Sequence, residues 1–322
     1  MKNLYKMMFT TSMITGTMIA ISSNSWMSMW IGLEINLLSI IPLMSNIKNK
    51  MESEAAMKYF ITQAMASTIF MLSVIMALSK TNLIQTNQMS LMIIDIAILT
   101  KMGAAPFHFW FPEVMEGLSW TNSMIMLTWQ KIAPMTIFSY STKTTIFMVT
   151  VIIMSMMISG LMGINQTSMR KILAYSSINH IGWMIGGMMT NQSIWLIYFT
   201  IYSLMTINIT LMFKQMNISH ITQLINSMNK SKTTKTLFSL NFLSLGGIPP
   251  LVGFYPKNMF LLSLTMIVLT LLSLMFYMRI MFASSIISMP KSNIKTDKNP
   301  SKMIMTNFVI LSALSTCCML IN

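Results

Sequence analysis

The chain has 322 residues, of which 54% are hydrophobic and only 9% are charged, and its mean hydropathy is +0.65. A soluble domain carries about 25% charged residues, so the 21 basic and 7 acidic residues are too few to cover a soluble surface. The composition excludes a soluble enzyme, a disordered protein and a secreted disulfide scaffold. Long apolar runs with few charges are typical of helical membrane proteins.

Ten apolar runs follow one another along the chain, and a helix needs about 20 residues to cross a bilayer. They lie at 5–22, 25–45, 55–79, 90–111, 119–140, 145–164, 172–189, 193–213, 237–288 and 303–321. The run 237–288 is long enough for two helices. The sequence therefore predicts an all-α polytopic membrane protein with about eleven transmembrane helices. The first run has basic residues before it but no clear cleavage site after it, so we expect a spanning helix and not a signal peptide.

The distribution of basic residues predicts the topology. With eleven spans the termini lie on opposite sides, and only Lys80 and Lys143 fall on the C-terminal side. The basic residues on the N-terminal side are Lys2, Lys6, Lys48, Lys50, Lys58, Arg170, Lys171, Lys214, Lys230, Lys232, Lys235, Lys291, Lys295, Lys298 and Lys302. Loops rich in lysine and arginine stay inside, which places the N-terminus inside and the C-terminus outside. This distribution accounts for the net charge of +14 without a nucleic-acid partner.

One internal repeat is visible. Gly103-Ala-Ala-Pro-Phe-His-Phe-Trp-Phe-Pro112 matches Gly247-Ile-Pro-Pro-Leu-Val-Gly-Phe-Tyr-Pro256 at an offset of 144 residues. Both segments read G-x-x-P followed six residues later by an aromatic residue and proline. They lie in the fourth and ninth predicted spans, which cross the membrane in opposite directions. Broken helices at corresponding positions are typical of inverted repeats.

Three charged residues fall near the middle of predicted spans: Glu34, Lys101 and Lys131. A charge at the bilayer centre costs about 2.5–3.5 kcal/mol, and a lysine stem is too short to reach water from there. Such residues face the bundle interior and mark ion or proton paths. A structural ion pair between Glu34 and one lysine is the alternative. One acid cannot neutralise two lysines, and this favours proton transfer.

Three other ionisable residues in the predicted spans each have two possible interpretations. Lys257, after the second Gly/Pro break, lines a half-channel or anchors the outer interface. His108 lies seven residues after Lys101, two turns further along the predicted helix, and His180 lies in the middle of its span. Each histidine is either a proton relay, since imidazole titrates near neutral pH, or a neutral structural group. Asp95 is expected at the interface.

Motifs for redox cofactors and metals are not apparent. The two cysteines, Cys317 and Cys318, are adjacent, and no CxxC pattern or Cys/His ligand set accompanies them. No G-x-G-x-x-G opens a helix after a strand. The sequence therefore predicts a chain that binds no cofactor and no metal.

The motifs together resemble the subunit-2 family of mitochondrial NADH:ubiquinone oxidoreductase, respiratory complex I, in order along essentially the whole chain. They are Gly32-Leu-Glu34-Ile-Asn36, Lys101-Met-Gly-Ala-Ala-Pro-Phe-His-Phe-Trp110, Leu127-Thr-Trp-Gln-Lys131, Arg170-Lys-Ile-Leu-Ala-Tyr-Ser-Ser-Ile-Asn-His180 and Gly246-Gly-Ile-Pro-Pro-Leu-Val-Gly-Phe-Tyr-Pro-Lys257. The 42 methionines suit a mitochondrially encoded invertebrate member.

The resemblance implies an antiporter-like fold with inverted five-helix repeats at 1–144 and 145–290 and a C-terminal helix in 291–322. It implies that Glu34 pairs with Lys101. It also implies that Lys131 joins two half-channels, that Lys257 ends the path, and that His180 occupies a histidine position of the family.

The resemblance also implies a place in the cell. The chain is expected in the mitochondrial inner membrane, with its N-terminus in the matrix and its C-terminus in the intermembrane space. Its expected partners are neighbouring antiporter-like and small membrane-arm subunits, and phospholipid. NADH, FMN, iron–sulfur clusters and ubiquinone are expected in other subunits.

Overall fold

The computed structural model of the protein describes residues 2–46, 49–78, 84–141, 145–190, 192–228, 232–247 and 264–286. Within these ranges the chain is helical and forms no strand. An isolated bridge between Ser168 and His220 is the one β-type pairing there. The predicted all-α class is therefore confirmed for the described residues.

The helices of the first part of the chain follow the predicted runs closely. They are α1 (Lys2–Ser22), α2 (Trp26–Met44), α3 (Lys50–Leu78), α4 (Ile84–Met102), α5 (Trp110–Gly117), α6 (Trp120–Leu127), α7 (Trp129–Ser141) and α8 (Thr145–Ile164). The run 119–140, predicted as one helix, is divided at Thr128, whose backbone (φ −114°, ψ −75°) leaves the ideal helical geometry.

The later described helices are α9 (Met169–Thr190), α10 (Gln192–Met216), α11 (Ile221–Met228), α12 (Lys232–Gly246) and α13 (Leu264–Ile286). The short helix α11 lies in the polar connection after the eighth predicted span and was not predicted. The run 303–321 lies outside the described residues.

Five of the described helices are long and apolar enough to cross a membrane. These segments are Trp26–Met44, Lys50–Ala77, Ile146–Ile164, Ser193–Met216 and Thr265–Ala283. The total of eleven spans stays a prediction.

The chain divides into two compact units, Met1–Val151 and Ile152–Asn322. Inside the first unit, α1 and α2 pack so closely that a Cβ at Gly32 would lie 2.6 Å from the Ala20 nitrogen. Inside the second unit, a Cβ at Gly160 would lie 2.8 Å from Leu272 of α13. Small residues at such crossings let helix backbones approach where no hydrophobic driving force between helices exists.

Candidate functional site

Lys101 is buried in the last turn of α4, immediately before the first predicted break. Gly103 has φ +74°, and its N–H donates to the Thr100 carbonyl while the Ala104 N–H donates to the Leu99 carbonyl. This pair of hydrogen bonds is a Schellman ending, which favours glycine at the left-handed position. The Gly-x-x-Pro motif thus ends the helix at the lysine.

Side chains from two neighbouring helices contact the open end of α4. Gln63 of α3 donates to the Lys101 carbonyl at 3.3 Å, and Trp110 of α5 donates to the Thr100 carbonyl at 3.1 Å. The carboxyl end of a helix carries partial negative charge and favours a nearby cation. Local backbone geometry therefore helps to hold a charged lysine in a buried position.

Glu34 lies on α2 and is half-buried. No ion pair within 4.0 Å joins the side chains of Glu34 and Lys101. Within the described part of the chain the Glu34 Oε1 atom is buried without a hydrogen-bond partner. The two predicted partners are therefore not in direct contact.

Lys131 is buried in the first turn of α7, just after the Thr128 irregularity. Its Nζ lies 5.6 Å from the centroid of the Phe111 ring of α5, within the range of a cation–π interaction. The amino end of a helix carries partial positive charge. Lys131 thus lies at the start of α7, whereas Lys101 lies at the end of α4. The dipole of α4 therefore stabilises the Lys101 cation, and the dipole of α7 disfavours the Lys131 cation.

A reciprocal amide pair lies beside these lysines. Asn36 of α2 donates to the Gln130 Oε1 atom, and Gln130 of α7 donates to the Asn36 Oδ1 atom, both at 3.0 Å. The Tyr59 hydroxyl of α3 donates to the same Gln130 oxygen at 3.4 Å. Sequence reasoning did not single out these three side chains, because a polar uncharged residue in an apolar helix carries no distinctive signal by itself.

A small cavity adjoins the amide pair and Lys101. It has a volume of about 20 Å³ and is lined by Leu33, Asn36, Leu37, Tyr59, Gln63, Lys101, Gln130 and Pro134. A polar cavity of about 10–15 Å³ is enough to hold one water molecule. The first unit therefore combines a buried lysine with a polar space of the size of one water.

His108 does not share a helix with Lys101, and this part of the prediction is wrong. The helix stops at Met102, and residues 103–109 form the irregular link to α5. His108 is buried in this link, where its Nδ1 atom lies 3.3 Å from the Pro106 carbonyl oxygen. The prediction failed because it assumed that the helix of Lys101 continues past Gly103, where the helix in fact ends.

Asp95 is fully buried on α4, where it accepts a hydrogen bond from the Ser141 hydroxyl at the end of α7. Packing of α7 against α4 covers the carboxylate. The expected position of Asp95 at the membrane interface stays a prediction.

Acidic residues at the start of the third helix form an exposed ion-pair cluster. Lys58 contacts Glu54 of the same helix at 2.9 Å and Glu113 of α5 at 3.0 Å. The second of these contacts joins α5 to α3.

His180 is buried on α9 in the second unit. Its Nδ1 atom and the Tyr198 hydroxyl of α10 form a hydrogen bond of 2.8 Å, and its ring centroid lies 4.9 Å from that of Tyr202. A cavity of about 10 Å³ lies beside them, lined by His180, Tyr198, Ile201, Tyr202, Met205, Ser244 and Leu245. Lys257 lies outside the described residues.

The second unit also contains an inter-helix hydrogen bond between neutral groups. Asn179 of α9 donates to the Ser273 hydroxyl of α13 at 3.1 Å. The helix α12 ends at Gly246, and the following Gly247 has φ +75° and donates to the Leu243 and Ser244 carbonyls. The two glycines of the sequence repeat thus have nearly the same backbone conformation at the ends of two helices.

The helical architecture, the broken helix and the buried lysines define an antiporter-like membrane protein. The model of the family "NADH:quinone oxidoreductase/Mrp antiporter, TM" matches residues 23–287. NADH-ubiquinone oxidoreductase chain 2 of Anopheles gambiae is 44% identical and covers 98% of this chain and 97% of its own length. The protein of the same name from Locusta migratoria is 42% identical and covers 98% of this chain and 95% of its own length.

Two solved structures share the fold. A chain of respiratory complex I from Thermus thermophilus superimposes with a TM-score of 0.85 at 23% identity, covering 96% of this chain and 77% of its own length. A chain of the Mrp complex from Dietzia gives a TM-score of 0.76 at 15% identity, covering 89% of this chain and 62% of its own length. The chain belongs to the NADH:quinone oxidoreductase/Mrp antiporter family and, within it, to the NADH-ubiquinone oxidoreductase chain 2 proteins.

Proposed function

We propose that this chain is a proton-translocating membrane-arm subunit of respiratory complex I. The observation that carries the proposal is a water-sized polar cavity at a buried lysine, Lys101, whose wall includes Leu33 and Asn36, close neighbours in sequence of the half-buried acid Glu34. A second buried lysine, Lys131, lies next in sequence to Gln130 in the wall of that cavity. A buried ionisable group in a membrane helix is expensive unless it has a function.

In the proposed mechanism, the distance between the Glu34 carboxylate and the Lys101 ammonium changes during turnover. Electron transfer in other subunits shifts the acid towards or away from the lysine. An approach from about 8 to about 4 Å strengthens the attraction by about 2 kcal/mol at an effective dielectric constant of about 20. This corresponds to about 30-fold in the equilibrium between the charged and neutral lysine. Withdrawal of Glu34 therefore releases a proton from Lys101 towards Lys131.

The remainder of the path runs through the second unit in this proposal. His180 accepts or donates a proton beside Tyr198, and Lys257 ends the path. His108 is a further relay on the link after α4. The buried position of both histidines and the hydrogen bond between His180 and Tyr198 support these roles.

The proposed membrane topology has eleven spans, with inverted repeats at 1–144 and 145–290 and a last helix in 291–322. The similar backbone at Gly103 and Gly247 supports the repeat. The excess of basic residues on the predicted inner side supports an N-terminus in the matrix and a C-terminus in the intermembrane space.

The proposed location is the mitochondrial inner membrane, beside other antiporter-like and small membrane-arm subunits and phospholipid. The names of the relatives at 42–44% identity support this assignment. NADH, FMN, iron–sulfur clusters and ubiquinone belong to other subunits, and this chain contributes proton movement.

The test is Lys101→Met in the intact complex, purified and reconstituted into liposomes. We expect electron transfer to ubiquinone to continue at a reduced rate and the number of protons moved per electron to fall. Lys58→Met is the matched control, because Lys58 is an exposed lysine on α3. A normal proton-to-electron ratio in Lys101→Met would show that the proposal is wrong.

A free-standing cation/proton antiporter is the second candidate, and the shared fold with the Mrp complex chain favours it. It predicts that the chain alone, in liposomes, moves protons in response to a Na⁺ gradient. The subunit proposal predicts no such flux and co-migration of the chain with NADH dehydrogenase activity on a native gel.

A further inference from the structure

The Asn36–Gln130 pair connects the helix of the acid, α2, to the helix of the second lysine, α7. It makes two hydrogen bonds of 3.0 Å between groups 94 residues apart in sequence, and both side chains are buried. Asn36 lies two residues after Glu34, and Gln130 immediately precedes Lys131. The pair therefore fixes the distance between the two backbone segments that carry charged residues of the proposed path.

The second unit contains a connection at the same spacing. Asn179 of α9 and Ser273 of α13 are also 94 residues apart and hydrogen-bonded, and each lies 143 residues after its counterpart in the first unit. Tyr202, which lines the second cavity, lies at the same offset from Tyr59, which lines the first. The connection between helices thus occurs in both units, whereas neither Asn179 nor Ser273 lines the second cavity.

The charged groups do not recur at these offsets. At the offset of 143 residues, Glu34 corresponds to Ser177 and Lys131 corresponds to Leu274. The two helix breaks are related by an offset of 144 residues, and at that offset Lys101 corresponds to Leu245. A feature that persists where the charges are absent serves the geometry of the helices. This separates the role of the amide pair from that of the charges beside it.

We propose that Asn36 and Gln130 are positioning residues of the proton path, which hold one water molecule against Lys101 and transmit movement of α2 to Lys131. The water has room in the cavity of about 20 Å³ and has polar neighbours in Tyr59, Gln63 and Lys101. Two to four polar partners are what a buried water requires. This inference rests on the proposed function, because it assigns a role within the same path.

The experiment uses the intact complex in liposomes and measures protons moved per electron and the amount of assembled complex on a native gel. Asn36→Leu removes both hydrogen bonds between the Gln130 amide and α2 and leaves the amide the Tyr59 hydroxyl as a partner. Loss of hydrogen bonds by a buried amide changes an equilibrium by about fivefold or more, so we expect the number of protons moved per electron to fall by about that factor. The double variant Asn36→Leu with Gln130→Leu is expected to assemble better than either single variant and still to pump slowly.

The decisive variant exchanges the two amides, Asn36→Gln with Gln130→Asn. It keeps both functional groups and the combined side-chain length, so we expect it to restore pumping to near the normal rate. Asn122→Leu is the matched control. Asn122 of α6 donates to the Leu43 carbonyl of α2 at 3.0 Å and does not line the cavity, so its loss is expected to leave the proton-to-electron ratio unchanged.

The outcomes separate this inference from the proposed function. Normal pumping by the Asn36→Leu, Gln130→Leu double variant, with loss of pumping in Lys101→Met, would overturn the positioning role alone. Failure of the exchanged pair to restore pumping would also overturn it. Normal pumping by Lys101→Met would overturn the proposed function itself. If Asn36→Leu does not assemble, Asn36→Ala replaces it, and a normal proton-to-electron ratio in that variant would contradict the inference.

Discussion

The two compact units use similar helical positions with different chemistry. The first has an acid and two lysines near the Asn36–Gln130 pair, whereas the described part of the second has His180 and two tyrosines beside its cavity. A buried charge responds strongly to a moving neighbour, because electrostatic interactions are large at low dielectric. A group of neutral hydroxyl and imidazole side chains responds less but costs less to bury. Under the proposed function, we therefore infer that the first unit senses a charge movement and that the second conducts protons.

The largest expected effect on pumping is at Lys131, a residue in which the two units differ. Lys131→Met removes a buried cation whose counterpart at the offset of 143 residues is Leu274, and we expect the proton-to-electron ratio to fall by at least about tenfold in liposomes. Leu274→Met, at the corresponding place in the second unit, is the control, because Leu-to-Met changes conserve volume and cost less than about 1.5 kcal/mol. Equal loss in both variants would remove the distinction between the units.

The break after α4 can be tested through the stability of the protein. Gly103→Ala places a Cβ in the left-handed region and 3.1 Å from the Phe111 Cβ atom, and we expect a loss of about 1–2 kcal/mol. Gly246→Ala, in the last helical position before the second break, meets its nearest neighbour atom at 3.5 Å and is expected to be nearly neutral. The thermal midpoint of the purified complex and its yield are the measurements.

The second unit is tested at its histidine, His180. His180→Gln keeps a hydrogen-bonding group opposite Tyr198 but cannot titrate near neutral pH. If the imidazole carries protons, we expect pumping to fall by about fivefold, with assembly on a native gel unchanged. Tyr198→Phe removes one hydrogen bond, worth about 1 kcal/mol, and is expected to have a smaller effect. Normal pumping by His180→Gln would assign the histidine to packing.

The smallest expected effect lies at the exposed ion pairs of the first unit. Glu113→Gln weakens the contact with Lys58, which is about half exposed at 43% of its side-chain surface. Exposed ion pairs contribute about 0–1 kcal/mol, so we expect a change of less than about 1 kcal/mol in stability and normal pumping. A marked loss of pumping would show that Glu113 on the surface of α5, and not Glu34, is the acid that senses the charge movement.

Much of the fold could be predicted because apolar run length is a direct consequence of bilayer thickness. The described helix α8 has the predicted bounds, and the glycine-proline motif ends α4 where expected. The division at Thr128 could not be predicted, because neither glycine nor proline marks it. The burial of Asp95 by α7 could not be predicted, because distance from a predicted helix end does not report which neighbouring helix covers the residue.

The sequence by itself determined the helical membrane class, the family and three charged residues within apolar runs, Glu34, Lys101 and Lys131. These follow from composition, spacing and the cost of placing charge in an apolar run, all of which are local properties. Only the tertiary structure revealed the Asn36–Gln130 pair, the cavity beside Lys101 and the absence of direct contact between Glu34 and Lys101. Such features join residues up to 94 positions apart, and their geometry depends on how the helices pack.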